Sequence, residues 1–412
     1  MSVRVAEFDQ LREQLQAKLL DYLRIKGVQV VSNGDTKFRC INPAHADAHP
    51  SAHIVPRTDG KYWCCFSCLN EDELVWTDNG LVRIGDVAVG MNVLSHTGAW
   101  REVSRVTPRG EKDLWAIETA NFRRDPLETT PDHPYLIVRG ESLPDGVPYV
   151  QRDKERGAKF YGRLKRARRR ISRFKGKLEI VQAEAKDVLP GDYVLFPRVP
   201  EANRVDEPID GMEAISLADG GYRPWRDRVW SLPVDPRAAW LYGVWLAEGS
   251  ISEGRILQFT FGLHEKETLV KRTVETIESL FGQFGISSSV RANEEHHVCS
   301  VTICSTDLCR LFEHAFGKGC DAKHLPAAAM NWTVESQLAL LTGFIEGDAG
   351  CTTSRSLAYG LFALAVQCRK LPSTAFSAGG VRRDGINRRN AWILELREME
   401  SLRRFYEPID GV

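Results

Sequence analysis

The chain has 412 residues, and 55 Lys and Arg stand against 55 Asp and Glu, so no global charge points to nucleic acid and local clusters must carry any such contact. Its longest apolar run, 238–247, is about half of the ~20 residues a membrane span needs, and residues 1–7 lack the apolar core of a secretory signal. The ten cysteines cluster unevenly, which implies a reducing interior rather than a disulfide framework, and the length implies two or three domains.

Phe8, Leu11, Leu15, Leu19 and Leu23 recur at helical steps and Gly27 follows as a stop, which predicts an amphipathic helix. Cys40, His45, Cys65 and Cys68 come next, with four residues inside the first pair, two inside the last and 19 between the pairs. Two such knuckles can bring three thiolates and one imidazole to a tetrahedral Zn2+, which supplies folding energy that so small a core lacks. Cys64 stands as an alternative to Cys65, and His49 or His53 to His45. The wording Cys40-Ile41-Asn42-Pro43-Ala44-His45, His49-Pro50-Ser51 and Tyr62-Trp63-Cys64-Cys65-Phe66-Ser67-Cys68 resembles the Cys-His-Cys-Cys zinc ribbon of bacterial and phage DNA primases. That resemblance implies a host segment over 1–67, sharing Cys68, that reads a single-stranded template. The acidic polymerising core of a primase is not in the sequence.

After Cys68 the pattern changes to short β-prone runs, among them Val75, Val82, Ile84, Val93, Val103, Ile117 and 136–138. Gly80, Gly85, Gly90, Gly98 and Gly110 punctuate these runs, which predicts an all-β module. Residues 82–86 are echoed within 181–197, which contains 185–195, each read as a strand entering a turn. The opening Cys68-Leu69-Asn70-Glu71-Asp72, with Thr129-Thr130-Pro131-Asp132-His133-Pro134 downstream, resembles the Hint splicing domain of inteins. The resemblance implies the N-terminal part of that domain over 68–199. The Cys68 thiol would take the Ser67 carbonyl in an N-to-S acyl shift, as a thiolate both attacks and leaves well. An amide leaves only if its nitrogen is protonated or its resonance broken, so a near-neutral imidazole, His133, is expected beside it, with Thr130 orienting the scissile bond.

Within this region, 154–177 holds twelve Lys or Arg against the single acid Glu155. Lys165, Arg166, Arg168, Arg169, Arg170 and Arg173, with Phe160, Tyr161 and Phe174 interleaved, predict a phosphate-binding arm inserted in the splicing domain.

Asp235-Pro236 is a helix start, a cap followed by a first-turn proline, and it opens onto Leu241-Tyr242-Gly243-Val244-Trp245-Leu246-Ala247-Glu248-Gly249. The pattern returns as Leu341-Thr342-Gly343-Phe344-Ile345-Glu346-Gly347-Asp348-Ala349. Gly243 with Ala247, and Gly343 with Gly347, lie four apart on one face, so two such helices can approach closely and bring Glu248 and Asp348 together. A divalent cation is the usual resolution of two such carboxylates. The pair resembles the two LAGLIDADG motifs of homing endonucleases. That resemblance implies a monomeric Mg2+-dependent endonuclease over 200–400, with Glu248 and Asp348 as metal ligands and Lys323 as the catalytic lysine. Ala349, where the family usually has Gly, departs from the motif. Strands at 258–261, 298–303 and 392–396 are expected to read duplex DNA, helped by Arg382, Arg383, Arg388 and Arg389.

The expected fold is thus multi-domain α+β: zinc ribbon, all-β Hint-like part, α/β two-motif endonuclease, and a start of return to the splicing domain over 401–412. The terminal strand pair and His-Asn of a complete intein do not occur before Val412, so these residues are not expected to splice in cis; a separate C-terminal fragment acting in trans, an interrupted gene and a truncated sequence stand as the alternatives. The expected cofactors are Zn2+ and Mg2+. The expected DNA partner is the uninterrupted primase gene, and the expected setting is the cytoplasm of a bacterial or phage-infected cell. The alternatives are a zinc-ribbon nucleic-acid-binding protein with a degenerate, non-cutting and non-splicing insertion, and a Hint autoprocessing protein whose endonuclease is inert.

Overall fold

The computed structural model describes residues 30–32, 36–38, 52–57, 60–64, 69–106, 112–119, 121–140, 179–216, 228–381 and 387–397. Over these residues the chain is mixed α/β, with several small sheets around one large apolar core. The N-terminal helix expected at 8–23 lies outside the described residues. Val30–Ser32, Thr36–Phe38, Ala52–Arg57 and Gly60–Cys64 form an antiparallel meander in that order. Its last hairpin falls between His45 and Cys65 in the chain.

The β-prone region folds as its glycine punctuation predicts. Leu74–Thr77, Gly80–Arg83, Asn92–Leu94 and Trp100–Glu102 make one four-stranded sheet. Pro134–Val138 lies between Val181–Glu184 and Tyr193–Val194 in another, over a small core of Tyr135, Ile137, Ala183 and Ala185. The repeated strand-to-turn unit is real. Gly80–Arg83 runs into a 3-10 turn at Ile84–Asp86, and Val181–Glu184 into one at Ala185–Asp187.

The longer helices are α1 (Pro236–Glu248), α2 (Lys271–Phe281), α3 (Thr306–Phe316), α4 (Val334–Asp348) and α5 (Arg355–Gln367). Asp235 caps α1 by accepting from the backbone N–H groups of Arg237 and Ala238, both at 2.8 Å, and Pro236 fills the first turn. Thr333 caps α4, and Asp206 braces that cap by accepting from the Thr333 and Ser336 hydroxyls, each at 2.8 Å. Between α1 and α3, Gly249–Ser252, Ile256–Gly262, Val298–Cys304 and Ser288–Asn293 pair antiparallel in that order. Leu257, Phe259 and Phe261, with Cys299, Val301 and Ile303, alternate inward as a half-buried sheet demands.

The second sheet is built differently. After α4 only Cys351–Thr352 precedes α5, and this short strand pairs directly with Ala391–Arg397, which pairs with Leu371–Ser377. The far edge of Leu371–Ser377 is then covered by Phe122–Thr129, in parallel through Phe122↔Thr374 and Arg123↔Ala375, followed by Trp115–Thr119. Phe122 packs its ring 4.7 Å from Tyr359 and 4.1 Å from Phe362 of α5. This sheet therefore draws strands from both sides of the boundary expected at 199.

Candidate functional site

Glycine decides how α1 and α4 meet. A Cβ added at Gly243 would lie 2.0 Å from the Leu340 carbonyl oxygen, and one at Gly343 would lie 2.1 Å from that of Trp240. The two backbones are in contact at this point, as the small-residue spacing predicts. One turn on, a Cβ at Gly347 would meet the Ala247 Cβ at 2.5 Å and the Glu248 Oε1 at 3.8 Å. The Glu248 carboxylate thus reaches across to the end of α4, where Asp348 follows Gly347. Aromatic packing of Tyr242 and Trp245 against Phe312 and Phe316 fixes the other side of α1.

The electrostatics follow from this placement. Burial, then the charges of Asp348 and Glu265, push Glu248 up to about 7, while Lys323 opposes them. Asp348 is more open to solvent, yet partial burial raises its carboxyl as well. Lys323 is 5% exposed and donates from Nζ to the carbonyls of Trp245, Leu246 and Gly249 at 2.9, 2.9 and 2.8 Å. It also lies over the Trp245 ring at 4.8 Å. Burial brings its ammonium down to about 8 against the upward pull of Glu248. All three protons are spent on the last turn of α1, so the charge acts on the acid pair through its field. Among the described residues no group of three or more His, Cys, Asp or Glu is gathered to hold a metal. Two carboxylates with substrate phosphate and water suit Mg2+, which keeps much of its water and takes few protein ligands.

The Thr130–His133 segment is a tight turn, with the His133 N–H donating to the Thr130 carbonyl at 3.0 Å. The 3-10 turn after Val181–Glu184 holds it: Ala185 N–H donates to the His133 carbonyl and Lys186 N–H to the Pro131 carbonyl, at 2.8 and 3.0 Å. Thr130 is 2% exposed, and its hydroxyl has no hydrogen-bond partner among the described residues. The His133 ring lies edge-on to Tyr135 at 5.2 Å. Leu69, next to Cys68, bridges antiparallel to Thr129, and the Asn70 N–H donates to the Glu128 carbonyl at 3.0 Å. The segment that follows Cys68 therefore runs antiparallel beside Thr129 and Glu128.

Cys40, His45, Cys65 and Cys68 lie outside the described residues. So do Lys165, Arg166, Arg168, Arg169, Arg170, Arg173, Arg382 and Arg383, and the tail at 401–412. Arg388 and Arg389 are exposed beside the short ladder Gly380–Val381/Asn387–Arg388, and Arg389 pairs with Asp321 at 3.1 Å. Sequence reasoning missed Glu265, whose carboxylate accepts from the Gly262 N–H at 2.7 Å, because no spacing marks a residue brought in by a strand end. No helix among the described residues is long and apolar enough to cross a membrane.

No family model matches the chain. Among curated proteins it is similar to the ATP-dependent DNA helicase Hel308 of Thermococcus kodakarensis, 24% identical over 298 residues, 68% of this chain and 24% of that protein. It is also similar to an uncharacterized protein of Methanocaldococcus jannaschii, 26% identical over 302 residues, 70% of this chain and 36% of that protein. The chain thus spans about a quarter and about a third of the lengths of these relatives. Among solved structures it is similar to I-DmoI in complex with DNA and Mn, at TM-score 0.30 and 9% identity, covering 43% of this chain and 98% of that one. It is similar to I-DmoI with DNA and Ca at TM-score 0.29 and 9% identity, covering 41% and 86%. Scores this low assign neither fold nor function.

Proposed function

We propose that the chain is an intein-bearing fragment with two activities: divalent-metal-dependent cleavage of duplex DNA, and the first step of protein splicing at Ser67–Cys68. The observation that carries the nuclease reading is the acid pair. Glu248 and Asp348 are brought together by contact of α1 and α4, and the Glu248 carboxyl is held near neutrality. Glu248 and Asp348 would hold Mg2+, which neutralises phosphodiester charge and polarises a water. Lys323 moderates the acid pair rather than touching the phosphate, since its protons are occupied. The polar faces of Ile256–Gly262 and Val298–Cys304, carrying Gln258, Thr260, Ser300 and Thr302, would face the duplex, with Arg388 and Arg389 on the other half. The basic stretch at 154–177 would add phosphate contacts. Matches of about 300 residues to parts of two longer proteins suit a module carried inside different hosts.

For the splicing step, Thr130 supplies a buried hydroxyl free to reach the scissile amide, and His133 the imidazole to protonate its nitrogen. The zinc ribbon and its primase host rest on the cysteine and histidine spacing and on the hairpin that lies between the two ligand pairs. The nuclease test is Mg2+-dependent cleavage of DNA carrying the uninterrupted ribbon-coding junction. Wild type is expected to cut and Glu248→Gln to be inert; equal activity of the two would remove the acid pair from the chemistry.

A further inference from the structure

Arg355 opens α5, a helix of the nuclease body, yet its guanidinium points into the β-rich region. Nη1 donates to the Asp72 carbonyl at 2.8 Å, Nη2 lies 3.3 Å from a Glu73 carboxylate oxygen, and Nε lies 3.4 Å from Asp125. The group stacks over Tyr359 at 5.0 Å, and the Trp392 indole donates to the same Asp125 oxygen at 2.9 Å. A cation in the first turn of a helix opposes the helix dipole, so the local helix gives no reason for it. The reason lies across the junction. Glu73 is 3% exposed, and its second oxygen accepts the Glu128 N–H at 2.8 Å. Glu128 also accepts from the Asn70 N–H, and Thr129 bridges Leu69. Arg355 therefore grips both strands of the ladder that pairs Leu69 with Thr129, the residues next in sequence to Cys68 and Thr130: one through Asp72 and Glu73, the other through Asp125.

We infer that Arg355 is a positioning residue for the acyl shift at Ser67–Cys68, supplied to the splicing site by the nuclease body. The inference rests on the splicing reading above. In that step the Ser67 C–N bond breaks as a C–S bond to Cys68 forms, and the thiol proton ends on the freed Cys68 amine, with no co-reactant. The described partners of Arg355 are Asp72, Glu73, Asp125 and Tyr359, and none of these supplies a reacting atom. It fixes the register of Leu69 and Asn70 against Thr129 and Glu128, and misplacement of a reacting group by about an ångström costs on the order of a hundredfold. A consequence is that the nuclease body cannot be excised without slowing the first splicing step.

The experiment measures dithiothreitol-induced cleavage at Ser67–Cys68 in the full chain, with Mg2+-dependent DNA cutting as the second readout. Arg355→Met is expected to slow thiol cleavage roughly ten- to hundredfold while DNA cutting persists, and Arg355→Lys to restore part of the rate. Glu73→Gln keeps the acceptor for Glu128 and weakens only the ion pair. It is expected to slow the same step and serves if Arg355→Met fails to fold. Wild-type rates in Arg355→Met, or in Glu73→Gln where Arg355→Met is unfolded, would overturn the inference with the splicing reading intact. Absence of thiol cleavage in wild type, matching Cys68→Ala, would instead remove the splicing reading itself and this inference with it.

Discussion

Glu248→Gln should stabilise the metal-free protein above neutrality while abolishing the proposed DNA cleavage. Gln copies the shape of a protonated Glu, so the substitution isolates the cost of charging this site. The folded carboxyl titrates at about 7 against an ordinary 4.5, chiefly because it is buried and secondly because Asp348 repels it. Below 4.5 both folded and unfolded chains are protonated and the substitution changes nothing on this account. Between 4.5 and about 7 the unfolded chain ionises first, so stability falls as pH rises, and above 7 the loss is complete. At about 1.4 kcal/mol per pH unit the full interval caps the loss at roughly 3 kcal/mol. Partial solvent access at the helix end reduces this to about 1–2 kcal/mol. Urea unfolding of both proteins without metal should therefore coincide at pH 4 and diverge by that amount at pH 7.5. Added Mg2+ should stabilise wild type alone, by mass action. An equal stability difference at both pH values, or a less stable Gln variant at pH 7.5, would refute the charge argument.

Ala349 ends α4 in the left-handed region with φ 46°, so Ala349→Gly should raise stability by about 1 kcal/mol in thermal or urea melts. Gly343→Ala places a methyl 2.1 Å from the Trp240 carbonyl oxygen, which must separate α1 from α4. A loss of about 1–3 kcal/mol or more is expected by denaturation, with DNA cutting reduced further than stability alone explains. Lys323→Met leaves the carbonyls of Trp245, Leu246 and Gly249 without their donor and takes a positive charge from Glu248. It should cost about 2–4 kcal/mol and move the acid limb of the pH–cleavage profile upward.

The motif helices were readable because each carries its own instructions: a cap with a proline or threonine start, small residues four apart, and a terminal acid. Strands such as Ile256–Gly262 and Val298–Cys304 were readable because burial on one face forces alternation. The pairing of Phe122–Thr129 with Leu371–Ser377 was not. Its partners lie about 250 residues apart, and neither Phe122, seated between Tyr359 and Phe362, nor Asn121, bonded to the Pro372 carbonyl, signals that partner in the sequence. Lys323 was legible as a candidate site residue, but the carbonyls of Trp245, Leu246 and Gly249 that hold its ammonium leave no mark in a sequence. Arg355 was passed over for the same reason. An arginine at the start of a helix reads as surface charge until Glu73 and Asp125 are placed beside it.

The geometry also explains why the site calls for a cation. Both motif helices point their C-terminal ends, the negative ends of their dipoles, at the place where they carry Glu248 and Asp348. Glu265 adds to the charge felt by Glu248, and the ammonium of Lys323 opposes it. That ammonium is itself held below its ordinary range by burial. One weakened positive charge cannot balance two helix ends and their carboxylates, so the free protein answers by keeping Glu248 protonated near neutrality. A divalent ion would reverse that choice at once, releasing a proton and converting the strain of the packed acid pair into affinity for metal and phosphate.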